Sequence, residues 1–317
     1  MRLPRVRPVM AATLVAIVVI VVLPGGCGGG PPAVTDTGGI EDAETVSVLE
    51  TARHAFLAGR YDQAAAAYAR ALDRAHALDD VAAIALAGQE LAISDLRRGK
   101  AEDAAAAAAR TRSELARRGR SVSPALTLVE ATARYRLGQA QKARQLAQEA
   151  AESGEDALVT ARATYLIGLL AADRGDRTAL RNAVEGLPAS EQPELAADRL
   201  ALTGRLALLD GDAGAALNAF TAEERLRRAS GDEAGVARAL NAAAQAAEKV
   251  GRPAEAADLY FRAGRSATQA GPGGGDAAAS LRRAELLARR TGQSGLAAEA
   301  GRLRLELARP GRAAGSE

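Results

Sequence analysis

Seven glycines divide this chain at an almost even beat. Gly59, Gly99, Gly138, Gly175, Gly211, Gly251 and Gly292 follow one another at intervals of 40, 39, 37, 36, 40 and 41 residues. Each stands between one alanine-rich apolar stretch and a second. A period of about 20–50 residues marks a stacked array, in which each unit hides its apolar face only against its neighbours. Glycine accepts the positive φ of a helix C-cap, so each of the seven predicts the bend of a helical hairpin. Composition points the same way. The chain is 48% hydrophobic but only 3% aromatic, without Trp. A β-sandwich or barrel would want many more β-branched and aromatic residues.

The columns around the glycines show how such hairpins close. Seven residues before each glycine stand Ala52, Ala92, Ala131, Gly168, Gly204, Ala244 and Glu285. Five after come Ala64, Ala104, Ala143, Leu180, Ala216, Ala256 and Ala297. Small side chains at both places let two helices cross closely. Nine after, a knob position carries Tyr68, Ala108, Ala147, Val184, Phe220, Tyr260 and Gly301. Between hairpins lie breaks such as Asp79-Asp80, Ser123-Pro124, Ser153-Gly154, Pro188 to Pro193, Ser230-Gly231-Asp232 and Gly271 to Asp276. Several of them supply the Ser or Asp that caps a following helix. The fourth unit has a short second helix ending at Gly186-Leu187-Pro188, and the seventh departs at Glu285 and Gly301.

The stretch from Ala52 through Phe56, Gly59, Tyr61, Ala64 and Tyr68 to Ala71-Leu72 resembles a tetratricopeptide repeat. The resemblance implies an all-α fold, a right-handed α-solenoid of about seven tetratricopeptide-like hairpins over residues 45–309, with the last unit as polar cap. It also implies a partner-binding groove lined by the first helix of each unit. Carried over by phase, the lining residues are Leu49, Arg53, Phe56 and Leu57, then Gln89, Ile93, Leu96 and Arg97. Further along they are Leu128, Thr132, Tyr135, Arg136, Tyr165 and Leu169, then Asn241, Gln245 and Lys249. The units are longer than the standard 34 residues of this repeat, a length found in sensor and regulator arrays of the superfamily.

The N-terminus has a separate character. Arg2, Arg5 and Arg7 precede an apolar run from Val9 to Leu23, which ends at Pro24-Gly25-Gly26-Cys27. A positive start, a short apolar core and a small-residue zone make a secretory signal, and the run is short for a membrane span. This region resembles a bacterial lipoprotein signal, with residues 1–26 removed and Cys27 lipidated; Leu23 sits one place earlier than in that motif. Residues 27–44 read as a lipidated Cys and flexible tether, rich in Gly and Pro. Residues 310–317 are expected to form a disordered tail. Cleavage would remove three arginines, so the 41 basic residues would fall below the 39 acidic ones. The precursor's excess of positive charge therefore says nothing of nucleic-acid binding.

Little in the chain asks for catalysis. His54 and His76 are the two histidines and have no clustered Cys or carboxylate at zinc-ligand spacing. Gly271 to Gly275 lacks the Lys-Ser/Thr that completes a phosphate loop. Basic clusters at Arg110, Arg112, Arg117, Arg118 and Arg120, and at Arg225, Arg227 and Arg228, lie near helix C-termini, where they complement the helix dipole. The sequence thus predicts a non-enzymatic protein without cofactor or metal. Its expected role is that of an interaction scaffold in the cell envelope, probing other envelope proteins or peptides with its groove, held by a lipid anchor and facing the periplasm from the outer membrane. A regulatory subunit of an envelope enzyme, or a ligand-responsive sensor, are the alternatives.

Overall fold

A computed structural model of the chain describes residues 39–271 and 275–308. Among the described residues there are fourteen α-helices and no strand. They pair into seven hairpins: α1 (Ala43–Leu57) with α2 (Tyr61–Ala77), α3 (Val81–Arg97) with α4 (Ala101–Arg117), α5 (Pro124–Arg136) with α6 (Ala140–Glu152), and α7 (Ala157–Asp173) with α8 (Arg177–Gly186). The series continues with α9 (Pro193–Asp210) and α10 (Ala213–Ala229), α11 (Glu233–Lys249) and α12 (Pro253–Ala270), and α13 (Ala277–Arg290) and α14 (Ser294–Leu307). Each helix packs on the next in sequence, which makes an α-solenoid.

All seven predicted glycines sit at the hairpin bends, with φ between 70° and 85°. The local hydrogen bonding explains the requirement. At the first bend the Gly59 amide donates to the Phe56 carbonyl at 3.0 Å and the Arg60 amide to the Ala55 carbonyl at 2.9 Å. This pairing satisfies carbonyls that the helix end would otherwise leave bare, and it needs a left-handed residue between its two donors. The same pair of bonds recurs at the other six bends. Between α2 and α3 the left-handed place falls to Asp79, a residue type that tolerates this conformation better than most. The breaks between hairpins supply side-chain caps: Asp80, Ser123, Asp156, Asp232 and Asp276 each accept from an amide in the first turn of the next helix.

Where the helices cross, the small columns are closed. Ala52, Ala92, Ala131 and Ala244 are fully buried on the first helices, as are Ala64, Ala104, Ala143, Ala216 and Ala256 on the second. Departures from small residues are matched by volume elsewhere. At Gly204 an added Cβ would stand 2.5 Å from Phe220, so the missing side chain is the room in which that ring lies. The seventh hairpin reverses the sizes: Glu285 is the large partner and Gly301 the small one, with only 3.2 Å between a would-be Cβ and Glu285 Oε1. The carboxylate is then held by Arg289 at 2.5 Å and Arg304 at 3.2 Å. In the fourth unit α8 is short, and α7 packs directly on α9.

One boundary differs from the sequence expectation. Helix α1 begins at Ala43, inside the stretch assigned to the tether, because Asp42 already anchors the chain. Its carboxylate accepts from the Thr45 amide at 2.8 Å and from Arg74 Nε on α2 at 2.6 Å. The signal over 1–26, Cys27 and the tail over 310–317 lie outside the described residues. Among the described residues no helix is long and apolar enough to cross a membrane.

Candidate functional site

The first helices of successive hairpins share one face, and along it run two cavities. The first has a volume of about 450 Å³ and is lined by Thr132, Tyr135 and Arg136 from α5, Arg162, Tyr165 and Leu169 from α7, and Asp198 and Arg205 from α9. Arg227 of α10 and Arg238 of α11 also line it, with Gly99 and Ala101 of the second hairpin, Leu166 of α7 and Gly275 ahead of α13. The second, of about 490 Å³, runs along α11 past Asn241 and Gln245 to Ser280 and Arg283 of α13. Arg205 and Arg238 line both, so the two form one elongated groove from α5 to α13. Helical phase puts these side chains together. Arg162, Tyr165, Leu166 and Leu169 are spaced i, i+3, i+4, i+7, and so are Arg238, Asn241, Ala242 and Gln245.

The groove floor holds a buried ionic cluster. Arg227, 4% exposed, lies 2.5 Å from Asp198 Oδ1, 3.3 Å from Asp232 Oδ2 and 3.5 Å from Glu223 Oε1. Asp232 is also the cap of α11 and accepts from the Gly235 amide. A side chain at 235 would collide with Asp232 and with the Arg227 stem, so the glycine makes room for the pair. Burial pushes the Glu223 carboxyl above the usual carboxylate range, against the pull of Arg227, Arg205 and Arg238. Burial likewise raises the Tyr165 phenol to about 12, with Asp198 adding to it. Tyr135 is also raised, first by burial and then by Asp173, to which its hydroxyl donates at 2.9 Å.

Other guanidinium groups of the groove make bonds and ring contacts of their own. Arg136 donates to the Leu96 carbonyl at 2.6 Å. Arg205 donates to the Ala201 carbonyl at 2.9 Å, and its guanidinium lies 6.0 Å from the Phe220 ring centre. Arg162 has a buried Nε without a hydrogen-bond partner. Neither Arg162 nor Arg205 has a carboxylate within ion-pair distance among the described residues. Asp198 is the one acid on the wall of the first cavity, and Arg227 already holds it.

Tyr135, Arg136, Tyr165, Thr132 and Leu169 from the sequence expectation line the first cavity, and Asn241 and Gln245 line the second. Five others do not face a groove. Leu49, Gln89, Ile93, Leu96 and Leu128 are only 1–4% exposed and pack between helices. The Gln89 amide oxygen accepts from Ser123 Oγ, the cap of α5, so this polar side chain ties one hairpin to the next. Phase alone does not separate the two groups: Leu128 shares a face of α5 with Thr132 and Tyr135, four and seven residues on, yet is buried while they line the cavity. Phe56 is half-buried, edge-on to Tyr61 at 5.2 Å, and Arg97 lies 6.0 Å over its ring. Arg53, Leu57 and Lys249 are exposed and line neither cavity.

Sequence reasoning missed Arg162, Arg205, Arg238 and the ion pair of Arg227 with Asp198. For two of these the signal was present, since Arg162 stands three before Tyr165 and Arg238 three before Asn241 on the same helix face. Arg227 carried no such signal. It reads as a dipole-complementing arginine at a helix end, whereas the fold buries it against three carboxylates. Its neighbours in the basic clusters also serve as ties: Arg112 joins Glu130 and Glu149, and Arg118 joins Asp79 and Glu114.

These features define an α-solenoid of helical hairpins with a groove along its first-helix face. Its solved structural neighbours are tetratricopeptide-type repeat proteins. It resembles a Rap protein in complex with competence and sporulation factor, at 12% identity and a TM-score of 0.58, over 84% of this chain and 77% of that one. The apo form of the quorum sensor NprR from B. thuringiensis gives 14% identity and a TM-score of 0.56, over 84% and 87%. A tetratricopeptide repeat protein from Parabacteroides merdae gives 15% and 0.51, over 83% and 100%. These likenesses concern the fold. No protein-family profile matches the chain, and no curated protein matches its sequence.

Proposed function

We propose that the protein is a non-enzymatic interaction scaffold that receives a peptide segment of a protein partner along the face of α5, α7, α9 and α11. The observation that carries this reading is the continuity of the groove, whose two cavities share Arg205 and Arg238. An elongated trough that crosses several helices suits an extended chain, with polar groups placed along a partly apolar wall. The signal-like N-terminus extends the proposal: Cys27 carries a lipid, residues 28–42 act as a spacer, and the solenoid works in the bacterial envelope, at the outer membrane on the periplasmic side.

The second reading, a ligand-responsive sensor, draws support from the long repeat period and from the fold shared with NprR and with the Rap protein crystallised with its factor. Both readings use the same groove and differ in whether the occupant changes the array. The test has two parts. Mass spectrometry of the mature N-terminus should find an acylated Cys27, and an intact Met1 would end the envelope assignment. Site-specific photocrosslinkers at Tyr165 and at the exposed Arg225 should capture protein partners from envelopes only from the first position. Equal capture from both would remove the groove from the proposal.

A further inference from the structure

The second helix of a hairpin turns one face to the hairpin that follows. Thirteen residues after the bend glycine, Leu72 of α2 packs on the cluster that holds Ile84 of α3, and Arg112 of α4 pairs with Glu130 of α5. At the same place in α12, Gly264 leaves the space that Leu281 of α13 occupies. Six residues after the glycine, and so on the same face, Ala65, Ala105, Leu217 and Ala257 are only 0–5% exposed. In α14, the last helix among the described residues, these two places hold Leu305 and Ala298. Both lie open, Leu305 at 57%. The last hairpin is therefore not the polar cap that the repeat resemblance implies.

Beyond the groove reading, we infer that this face is covered by the same face of a second copy of the chain, α14 lying antiparallel on α14 about a two-fold axis. The face carries both halves of such a contact. Leu305 is a knob, and one to two turns before it Ala298 and Gly301 line a hollow of about 490 Å³. Knob and hollow stand about 8 Å apart along the helix. A two-fold axis near Arg302 thus seats each Leu305 in the other copy's hollow, the reciprocal contact of an isologous interface. The charges agree. Glu299, Arg302 and Glu306 follow one another at i, i+3 and i+7 along one edge of the face. Reversed on itself, that row sets each Arg302 beside acids of the other copy, as flanking charges do in paired helices. The other end of the array has no matching seat. There α1 exposes Glu44, Ser47, Thr51 and His54 at i, i+3, i+7 and i+10, a polar stripe on which Leu305 finds no hollow. The pairing joins like ends and closes at two copies.

One helix pair buries less than the roughly 1,200 Å² of a standard interface, so the dimer is weak and exchanges with monomer. Sedimentation velocity of the full chain in density-matched detergent should show this directly. Between about 1 and 300 μM it should find monomer and dimer with a Kd on the order of 10–100 μM, and nothing larger. Leu305→Glu changes a side chain that already stands in solvent, and circular dichroism should show its helicity intact. It should nevertheless weaken the dimer by at least about tenfold. Arg302→Glu makes the row wholly acidic, and Glu299→Arg with Glu306→Arg makes it wholly basic. Each of these two variants should pair poorly with itself, and an equal mixture should recover a heterodimer. Leu286→Glu, exposed on α13 outside the hollow, should leave the dimer unchanged.

A chain that stays monomeric over that range, or that grows past the dimer, would overturn the inference. So would a dimer that keeps its affinity in Leu305→Glu, whether another face or the micelle holds it. Acidic-row and basic-row variants that do not recombine would overturn the antiparallel pairing. A photocrosslinker at Ala298 should capture the chain itself, and capture of a different protein by a monomeric chain would give the face another occupant and overturn the inference. None of these results bears on the groove, which is probed separately at Tyr165.

Discussion

Hairpins α3/α4 and α9/α10 share the same glycine bend and are held by opposite means. In α3/α4 the crossing is built from Ala92, Ala104 and Ala108, all fully buried. There is almost no side chain to remove, and the two backbones simply come close. In α9/α10 the crossing sets Gly204 against Phe220, and the far end of α10 carries Arg227 among Asp198, Glu223 and Asp232. One hairpin is therefore sensitive to added volume, the other to lost volume and lost charge. The second also forms the groove floor through Asp198 and Arg227, whereas α3/α4 reaches the cavity only with Gly99 and Ala101 at its bend.

The largest expected effects break the second hairpin. Phe220→Ala should cost about 3–5 kcal/mol in urea unfolding, because Gly204 offers nothing to fill the space. Arg227→Met should cost a similar ~3–5 kcal/mol, since it leaves Asp198 buried without its partner. A loss below about 1 kcal/mol in either would show that this hairpin relaxes as easily as an exposed one. Next in size is Ala92→Leu in α3/α4, expected to cost about 1–3 kcal/mol by overpacking, while Ala92→Gly should cost only about 1 kcal/mol through helix propensity. Equal sensitivity of the two hairpins to both kinds of change would erase the contrast.

The smallest effects concern pH and compare the groove floor with the N-terminal edge. Burial raises the Glu223 carboxyl, so its contribution is fully present below the unfolded range near 4.3 and is lost as pH rises through its higher folded value. Asp42 is held well below its usual range by Arg74 and the Thr45 amide, so its contribution is present above about 3.9 and is lost as pH falls. Urea midpoints should accordingly move in favour of Glu223→Gln, relative to the parent, as pH rises from about 4 to 7. Against Asp42→Asn they should move as pH rises from about 2 to 4, and from about 4 to 7 that difference should stay nearly level. Parallel slopes for the two variants would contradict the assignment of burial to one and ion pairing to the other.

The hairpin bends were legible because the signal is local. A left-handed residue at a helix end must be glycine or a near substitute, and the same two hydrogen bonds recur wherever one stands. The small columns were legible for a related reason, since close crossing leaves no choice of side chain. The groove was only partly legible. Tyr135, Tyr165, Asn241 and Gln245 fell on its wall, but Leu49, Ile93, Leu96 and Leu128 went to the core. Leu128 and Tyr135 stand seven residues apart on one face of α5, so periodicity alone does not say which stretch of a face the neighbouring helices cover.

What the amino-acid sequence determined by itself was the unit: two helices, a glycine bend, a capped restart, and small residues where the helices meet. These depend on backbone conformation and on contacts within about forty residues, which the chain specifies directly. Only the tertiary structure decided which faces the stacked units leave open, and that Arg227 is buried among three acids while Arg162 keeps an unmatched nitrogen. Those outcomes depend on the angle at which each hairpin meets the next, and that angle is set by volumes such as Phe220 in the space of Gly204, contributed by residues that no local pattern joins.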